Sequence, residues 1–263
     1  MQHQIPGKSR HERPIDAYFI GSGRIRVLIN GAHHANEWIT SMILRRYLLD
    51  YVNQNVQLCA VPQVNPDGVA LVTGKATKEE TDAARRIALQ YPHIPFPFGW
   101  KSNLSGVDLN LNYPAGWEKA VEIKAASGVS SPAPRDYPGP YPLSEPETQT
   151  MVSLTDSFDP HMTISFHTQG MEIYYRYKDM EPECSRLIAR QAADASGYLI
   201  ADVPDVSGHA GYKDWFILSR NRPGLTVEAG IGENPLEIAQ FEEVYSSCRL
   251  LIDAAIDSLC RQL

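Results

Sequence analysis

Two short apolar runs constrain this chain more than anything else in it: Arg26-Val27-Leu28-Ile29-Asn30 and Met162 to Phe166. Both are too short for a typical helix and are apolar without alternation, the pattern of strands buried on both faces. Each runs straight into residues that carry chemistry. The first enters Gly31-Ala32-His33-His34-Ala35-Asn36-Glu37-Trp38, and the second ends at His167.

Helical patterns separate the strand-like runs. Trp38 to about Gln54 places Ile39, Ile43, Tyr47 and Tyr51 on one four-residue row. Val56 to Val64 reads as a strand that stops at the turn-forming Asn65-Pro66-Asp67-Gly68. Thr77-Lys78-Glu79-Glu80 and Ser144-Glu145-Pro146-Glu147 fit capping boxes for helices to about Gln90 and Ser157. Pro92 to Pro142, rich in Pro, Gly and aromatics, reads as long ordered loops of the kind that carry function. Glu181 to Ser196 reads as a helix stopped by Gly197, and Tyr198 to Val203 and Leu225 to Val227 as strands. Phe241, Val244, Tyr245, Cys248, Leu251, Ile252, Ala255 and Leu259 mark a long amphipathic final helix. Alternating strands and helices predict an α/β fold, a central mixed, mostly parallel sheet flanked by helices on both faces. With no repeat, low-complexity stretch or Gly/Ser linker, residues 1–263 are expected to form one catalytic domain.

A net charge of −7 gives no electrostatic reason to expect nucleic acid or an anionic membrane as partner. No apolar run approaches the ~18–20 residues that span a bilayer. Met1 to Lys8 has no apolar segment of the secretory kind, so a cytoplasmic location is the expectation. Cys59, Cys184, Cys248 and Cys260 are irregularly spaced and are expected to be reduced thiols.

His34-x-x-Glu37 puts an imidazole and a carboxylate three residues apart, within reach of one ion. His33 competes with His34 for that role. His167, at the end of a strand, can supply a third ligand. Two His and one Glu, with a fourth position left for water, make the ligand set of one catalytic Zn²⁺. The ligands fall at or just after strand C-termini, where open α/β sheets place their sites.

These segments resemble the M14 zinc carboxypeptidases. Ala32 to Trp38 is similar to the family's Gly-x-His-Ala-x-Glu-Trp ligand segment with one inserted residue, and the match selects His34 over His33. Ser165-Phe166-His167 is similar to its Ser-x-His segment, and Asn65 to Gly68 to its Asn-Pro-Asp-Gly turn. The family's general base lies fourteen residues after the Asp of an Asp-Trp pair; from Asp214-Trp215 that position is Glu228. The resemblance implies metal ligands His34, Glu37 and His167, with Glu228 taking a proton from the attacking water and delivering it to the leaving amine.

Three departures qualify it. In Asp108-Leu109-Asn110-Leu111-Asn112, Asn110 remains, but Leu111 stands where the family holds the carboxylate-clamping arginine. Val206 occupies the place of the family's phenol, for which Tyr212 or His209 are candidate substitutes. Lys101 stands in for the arginine that polarises the scissile carbonyl. With these departures the chain is similar to one branch, the bacterial γ-D-glutamyl-L-diamino acid endopeptidases, which cut γ-D-glutamyl–meso-diaminopimelate bonds in muropeptides. Some members carry LysM wall-binding repeats, and no such segment is seen in this sequence. The implied partners are peptidoglycan peptides. Lys213, directly before Asp214, lies where the family places the base of the pocket for the residue after the scissile bond. It is a candidate partner for a diaminopimelate carboxylate, with Arg176, Arg220 and Arg222 as others. Two alternatives stand beside this reading: a metallocarboxypeptidase preferring an acidic C-terminal residue, and a non-catalytic muropeptide-binding protein.

Overall fold

A computed structural model describes residues 1–53, 55–204 and 206–263. The chain opens with a hairpin of β1 (Gln2–Lys8) and β2 (Pro14–Ile20). β3 (Ile25–Gly31) leads through a 3₁₀ turn at Ala35–Glu37 into α1 (Ile39–Asp50). The expected extension of that helix to Gln54 stops at Asp50, and Gln54 itself lies outside the described residues. β4 (Val56–Val61), α2 (Pro66–Val72) and α3 (Lys78–Ala88) follow. Past a 3₁₀ turn at Leu109–Leu111 come α4 (Trp117–Ala126) and α5 (Pro146–Phe158). The remainder is β5 (Met162–His167), β6 (Glu172–Tyr174), α6 (Ser185–Ser196), β7 (Leu199–Ile200), α7 (Tyr212–Arg220), β8 (Gly224–Glu228) and α8 (Phe241–Cys260).

All the strands join one sheet in the order β1-β2-β4-β3-β5-β8-β6-β7. The central pairs β4/β3, β3/β5 and β5/β8 are parallel, as is β6/β7, whereas β1/β2, β2/β4 and β8/β6 are antiparallel. The sheet is therefore mixed and mostly parallel. Strand alternation sorts the core onto two faces. Val27, Ile29, Leu58, Ile164, Phe166, Leu225 and Val227 pack with α1, α6 and α8. Leu28, Cys59 and Val61 pack with Met151 and Leu154 of α5 and Tyr212, Phe216 and Ile217 of α7. Helices thus cover both faces. Of the eight apolar positions predicted for the final helix, all but Phe241 are buried. The four cysteines are free thiols.

The structure corrects four local expectations. Asn65-Pro66-Asp67-Gly68 begins α2 instead of ending in a turn, because Asn65 caps it by accepting the Gly68 N–H at 2.9 Å and Pro66 occupies the first helical turn. The Pro92 to Pro142 region contains α4, whose single buried position, Ala120, gives no apolar stripe for sequence to show. The strand expected over Tyr198 to Val203 is only two residues long. At Ser144-Glu145-Pro146-Glu147 a helix starts at Pro146 but without a side-chain cap, whereas the Thr77/Glu80 capping box forms in full.

Asn65 does more than cap. Its Nδ2 donates to the carbonyls of His33 and Ser102, both at 3.1 Å, so one buried amide joins the loop after β3 to the Lys101 loop. Gly68 must be glycine here: a Cβ would lie 2.5 Å from the Ser102 carbonyl oxygen and 2.8 Å from the Ala35 Cβ. Asp67 anchors the N-terminal hairpin, accepting from Ser9 Oγ at 2.7 Å, the His11 N–H at 3.0 Å and Arg13 at 2.8 Å. Gly68→Ala is expected to destabilise by about 1–3 kcal/mol through overpacking. Thermal unfolding should show a Tm several degrees lower, at ~2–4 °C per kcal/mol for a chain near this size.

Glu147 is fully buried on α5. Oε1 accepts the Arg10 N–H at 3.2 Å, and Oε2 has no hydrogen-bond partner among the described residues. Burial pushes its carboxyl up to about 7, with Asp67 and Glu145 adding to the shift. The folded state therefore binds more protons than the unfolded chain between the ordinary carboxylate range and pH 7. Stability contributed by the neutral carboxyl is complete below that range and is lost as pH rises through 7. Glu147→Gln stays neutral throughout. Its Tm relative to the native protein should rise from near parity at pH 4.5 to a gain of several degrees at pH 8, read by calorimetry at both values.

Candidate metal centre and active site

The parallel register of the central strands assembles the site. Gly31 of β3 lies beside Phe166 of β5, and His167 of β5 lies beside Glu228 of β8. Alternation sends Ser165 and His167, like Thr226 and Glu228, to the sheet face opposite Phe166 and Val227. After β3, Ala32 takes φ 51° and the chain turns into Ala35–Glu37. A 3₁₀ turn has three residues per turn, so His34 and Glu37 project from the same side. Thr40 locks the turn: its Oγ1 accepts the Ala32 N–H at 2.8 Å and donates to the Glu37 carbonyl at 2.7 Å.

His34, Glu37 and His167 converge, with one ligand atom from each lying within 4.8 Å of the others. His34 Nδ1 is 2.9 Å from Glu37 Oε1, His167 Nδ1 is 3.0 Å from Glu37 Oε2, and the two Nδ1 atoms are 3.2 Å apart. Two nitrogens each ~2.0–2.1 Å from one tetrahedral ion stand about 3.3–3.4 Å apart, so the spacing fits a metal. His33 is excluded from the set. It is fully buried, its Nε2 is bonded to the Tyr113 hydroxyl at 2.9 Å, and burial holds its imidazole well below the ordinary histidine range.

Asp108 stands behind His34, with Oδ1 3.1 Å from Nε2, and accepts the Asn110 and Asp136 N–H groups, both at 3.2 Å. A carboxylate behind a ligating imidazole fixes its tautomer and orientation. Sequence reasoning read Asp108 only as part of the Asn110 segment. Burial opposes charge on His34, but Glu37 and Asp108 outweigh it and lift the imidazole to about 9. Burial likewise disfavours the Glu37 carboxylate, yet His34 and Lys101 hold it well below its usual range. The Lys101 ammonium sits 3.0 Å from Glu37 Oε1 and stays charged despite burial because of Glu37 and Asp108. Glu228 carries the opposite shift: burial, with the charge of Glu37 adding to it, pushes its carboxyl up.

A cavity of about 820 Å³ opens over these groups, lined by His34, His167, Glu228, Lys101, Asn110 and Lys213 among others. Leu111 also lines it. Lys213 is 5% exposed; its Nζ contacts Asp214 and donates to the Arg176 carbonyl at 2.7 Å. Five candidates do not join them. Tyr212 is fully buried with its hydroxyl on Thr155 at 2.7 Å and its ring against Tyr113 and Trp215, so it does not reach the cavity. His209 and Arg176 line an adjoining cavity of about 580 Å³, and Arg176 pairs there with Asp202 at 2.6 Å. Arg220 pairs with Asp156 and Arg222 with Asp159, outside the cavity lining. Val206 is exposed and not part of that lining.

The family model for zinc carboxypeptidase, peptidase M14, matches residues 1–228. The chain belongs to the M14 family. Among the similar curated proteins, γ-D-glutamyl-L-diamino acid endopeptidase 1 of Lysinibacillus sphaericus is 39% identical over 91% of this chain. The uncharacterized protein YqgT of Bacillus subtilis is 37% identical over 84% of it. The aligned parts cover 63% and 62% of those relatives, so this M14 chain spans less than two thirds of their length. The fold is similar to bovine thrombin-activatable fibrinolysis inhibitor, with TM-score 0.76 and 17% identity over 100% of this chain and 91% of that one. It is also similar to murein-tripeptide amidase MpaA from Escherichia coli O157, with TM-score 0.62 and 19% identity over 95% and 90%.

For this M14 centre, Asp108→Asn is expected to weaken metal binding about 10–100-fold, as loss of a ligand-orienting carboxylate does elsewhere. Competition against a chromophoric chelator measures it directly. Glu37→Gln should leave the purified protein with far less than one metal per chain by elemental analysis.

Proposed function

We propose that the chain is a zinc-dependent peptidase hydrolysing the γ-D-glutamyl–meso-diaminopimelate bond of peptidoglycan-derived peptides. The observation that carries this reading is the convergence of His34, Glu37 and His167 beside Glu228, with His34, His167 and Glu228 lining one cavity. The substrate class is supported by the similarity to an endopeptidase named for γ-D-glutamyl-L-diamino acid bonds. It is supported too by Leu111, which puts an apolar side chain in the cavity lining where the family's carboxypeptidases hold a guanidinium.

His34, Glu37 and His167 would hold the zinc ion. When bound, zinc acts as a Lewis acid and lowers the pKa of a water to ~7. Glu228 is the general base: it takes the proton of the attacking water and passes it to the leaving diamino-acid nitrogen. Its burial suits the second half of that task, because a raised carboxyl pKa favours the protonated form that must act as acid. Lys101 supplies positive charge to the oxyanion that develops at the γ-carbonyl. Asn110 and Lys213 are the cavity groups assigned to the diaminopimelate side of the bond, the Lys213 ammonium meeting a carboxylate.

The test is mass-spectrometric hydrolysis of L-Ala-γ-D-Glu-meso-diaminopimelate beside a blocked carboxypeptidase dipeptide. Release of free diaminopimelate should require metal, disappear with chelator and return with added zinc. Glu228→Gln should lower kcat by about 10²–10⁴-fold with metal content retained. Turnover of the blocked dipeptide alone would make the chain a carboxypeptidase. Turnover of neither by the metal-loaded protein would favour a muropeptide-binding role.

A further inference from the structure

Arg135 and Asp136 line the cavity together with Lys101, and with Pro134 they form a segment of the Pro-rich stretch to which sequence reading assigned no role. It is tied to the metal loops at several points. The Pro134 carbonyl accepts the N–H groups of Lys101 and Ser102 at 2.8 and 3.0 Å. The Asp136 N–H donates to Asp108 Oδ2 at 3.2 Å, and Asp108 is the carboxylate that orients His34. Asp136 takes φ 70°, which turns the chain sharply just after Arg135. Arg135 is therefore held at a set place relative to both Lys101 and the metal ligands, and its charge is close enough to oppose that on the Lys101 ammonium.

Asp136 accepts Lys124 on Oδ1 at 2.6 Å and Arg135 Nε on Oδ2 at 3.1 Å, so two cations share this one carboxylate. Lys124, Arg135 and Asp136 all line the cavity. Arg135 is 43% exposed on its side chain, and its terminal nitrogens make no hydrogen bond or ion pair among the described residues. A guanidinium fixed by Nε with its outer nitrogens uncommitted is a receptor for a carboxylate.

A γ-D-glutamyl substrate brings one to this position. Its scissile carbonyl is the side-chain carbonyl of glutamate, so the α-carboxylate stays free, three carbons from the reacting carbon. An α-linked residue without an acidic side chain offers no carboxylate at that distance. The carbonyl belongs beside Lys101, and the cation next to Lys101 is Arg135. Resting on the proposed function, we infer that Arg135 binds the α-carboxylate of the D-glutamyl residue and thereby selects substrates in which that carboxylate is free over those in which it is blocked. Arg135 is a specificity-determining residue in this assignment and takes no part in proton transfer.

The experiment compares two substrates that share the same scissile bond: L-Ala-γ-D-Glu-meso-diaminopimelate, and its analogue with the glutamyl α-carboxylate converted to a carboxamide. The zinc-loaded native protein should favour the carboxylate by about 10–100-fold in kcat/KM, the worth of a charge-assisted hydrogen bond, mainly through KM. Arg135→Ala should bring that ratio close to one, and Arg135→Lys should restore part of it. The Tm of each variant serves as a folding control, since Asp136 keeps Lys124 when Arg135 is removed. A native ratio near one, or a ratio that Arg135→Ala leaves intact, overturns the assignment while the proposed function stands. Absence of turnover of either substrate by the native protein overturns the proposed function and this assignment together.

Discussion

Everything at the site hangs on the register of three parallel strands. β3, β5 and β8 must end together for the loop after Gly31, the imidazole of His167 and the carboxylate of Glu228 to meet. Side chains alternate along a strand, so a slip of one residue in β5 would send His167 to the helix-covered face and bring Phe166 to the cavity. The hydrophobic sorting prevents this. Ile164 and Phe166 are fully buried among α1, α6 and α8, and exposing them would forfeit roughly 1.5–3 kcal/mol per side chain. The apolar core on one face thus holds the chemistry on the other in place.

The register sets strand ends, but His34, Lys101 and Arg135 sit on loops, which need their own restraints. Those restraints are polar and buried. Asn65 joins the His33 and Ser102 carbonyls, Asp108 joins His34 to the Asn110 and Asp136 backbone, and Pro134 accepts from Lys101 and Ser102. In a low-dielectric interior such bonds are strong when complete and costly when broken. Each therefore narrows the positions a loop can take. Asp67 extends the same logic outward, fastening the N-terminal hairpin to the helix that Asn65 caps.

What could be read from sequence follows from whether a residue's role is local. The strands ending at Gly31 and His167, the Thr77/Glu80 capping box and the apolar stripe of α8 are set by neighbours in the chain, and all appear as expected. Residue types beside strand ends pointed to Glu37, His167 and one of His33 and His34, and the resemblance to the M14 ligand segment chose His34, which converges with the other two. Roles created by long-range contact were not. Nothing local distinguishes a cavity-facing Tyr212 from one whose hydroxyl meets Thr155 across the core. Asn65-Pro66-Asp67-Gly68 has turn chemistry, but the same residues suit a helix start, and the packing of Gly68 against Ser102 decides between them. Arg135 lies in a stretch with no periodicity, and its placement comes from backbone bonds to Lys101 and Asp108.

Leu111 makes sense only alongside those long-range placements. An arginine at that position would carry its charge on the Leu109–Leu111 turn, on the side of the cavity where Asn110 leads to Gly211 and Tyr212 through its bond to the Tyr212 N–H. Here the turn ends in leucine, and the cations of the cavity lining come from elsewhere: Lys213 from α7, Lys124 from α4, and Lys101 and Arg135 from loops. Half-buried Lys101 and buried Lys213 are held in place by Glu37 and Asp214. Arg135 is the more exposed of the three and shares its carboxylate with Lys124.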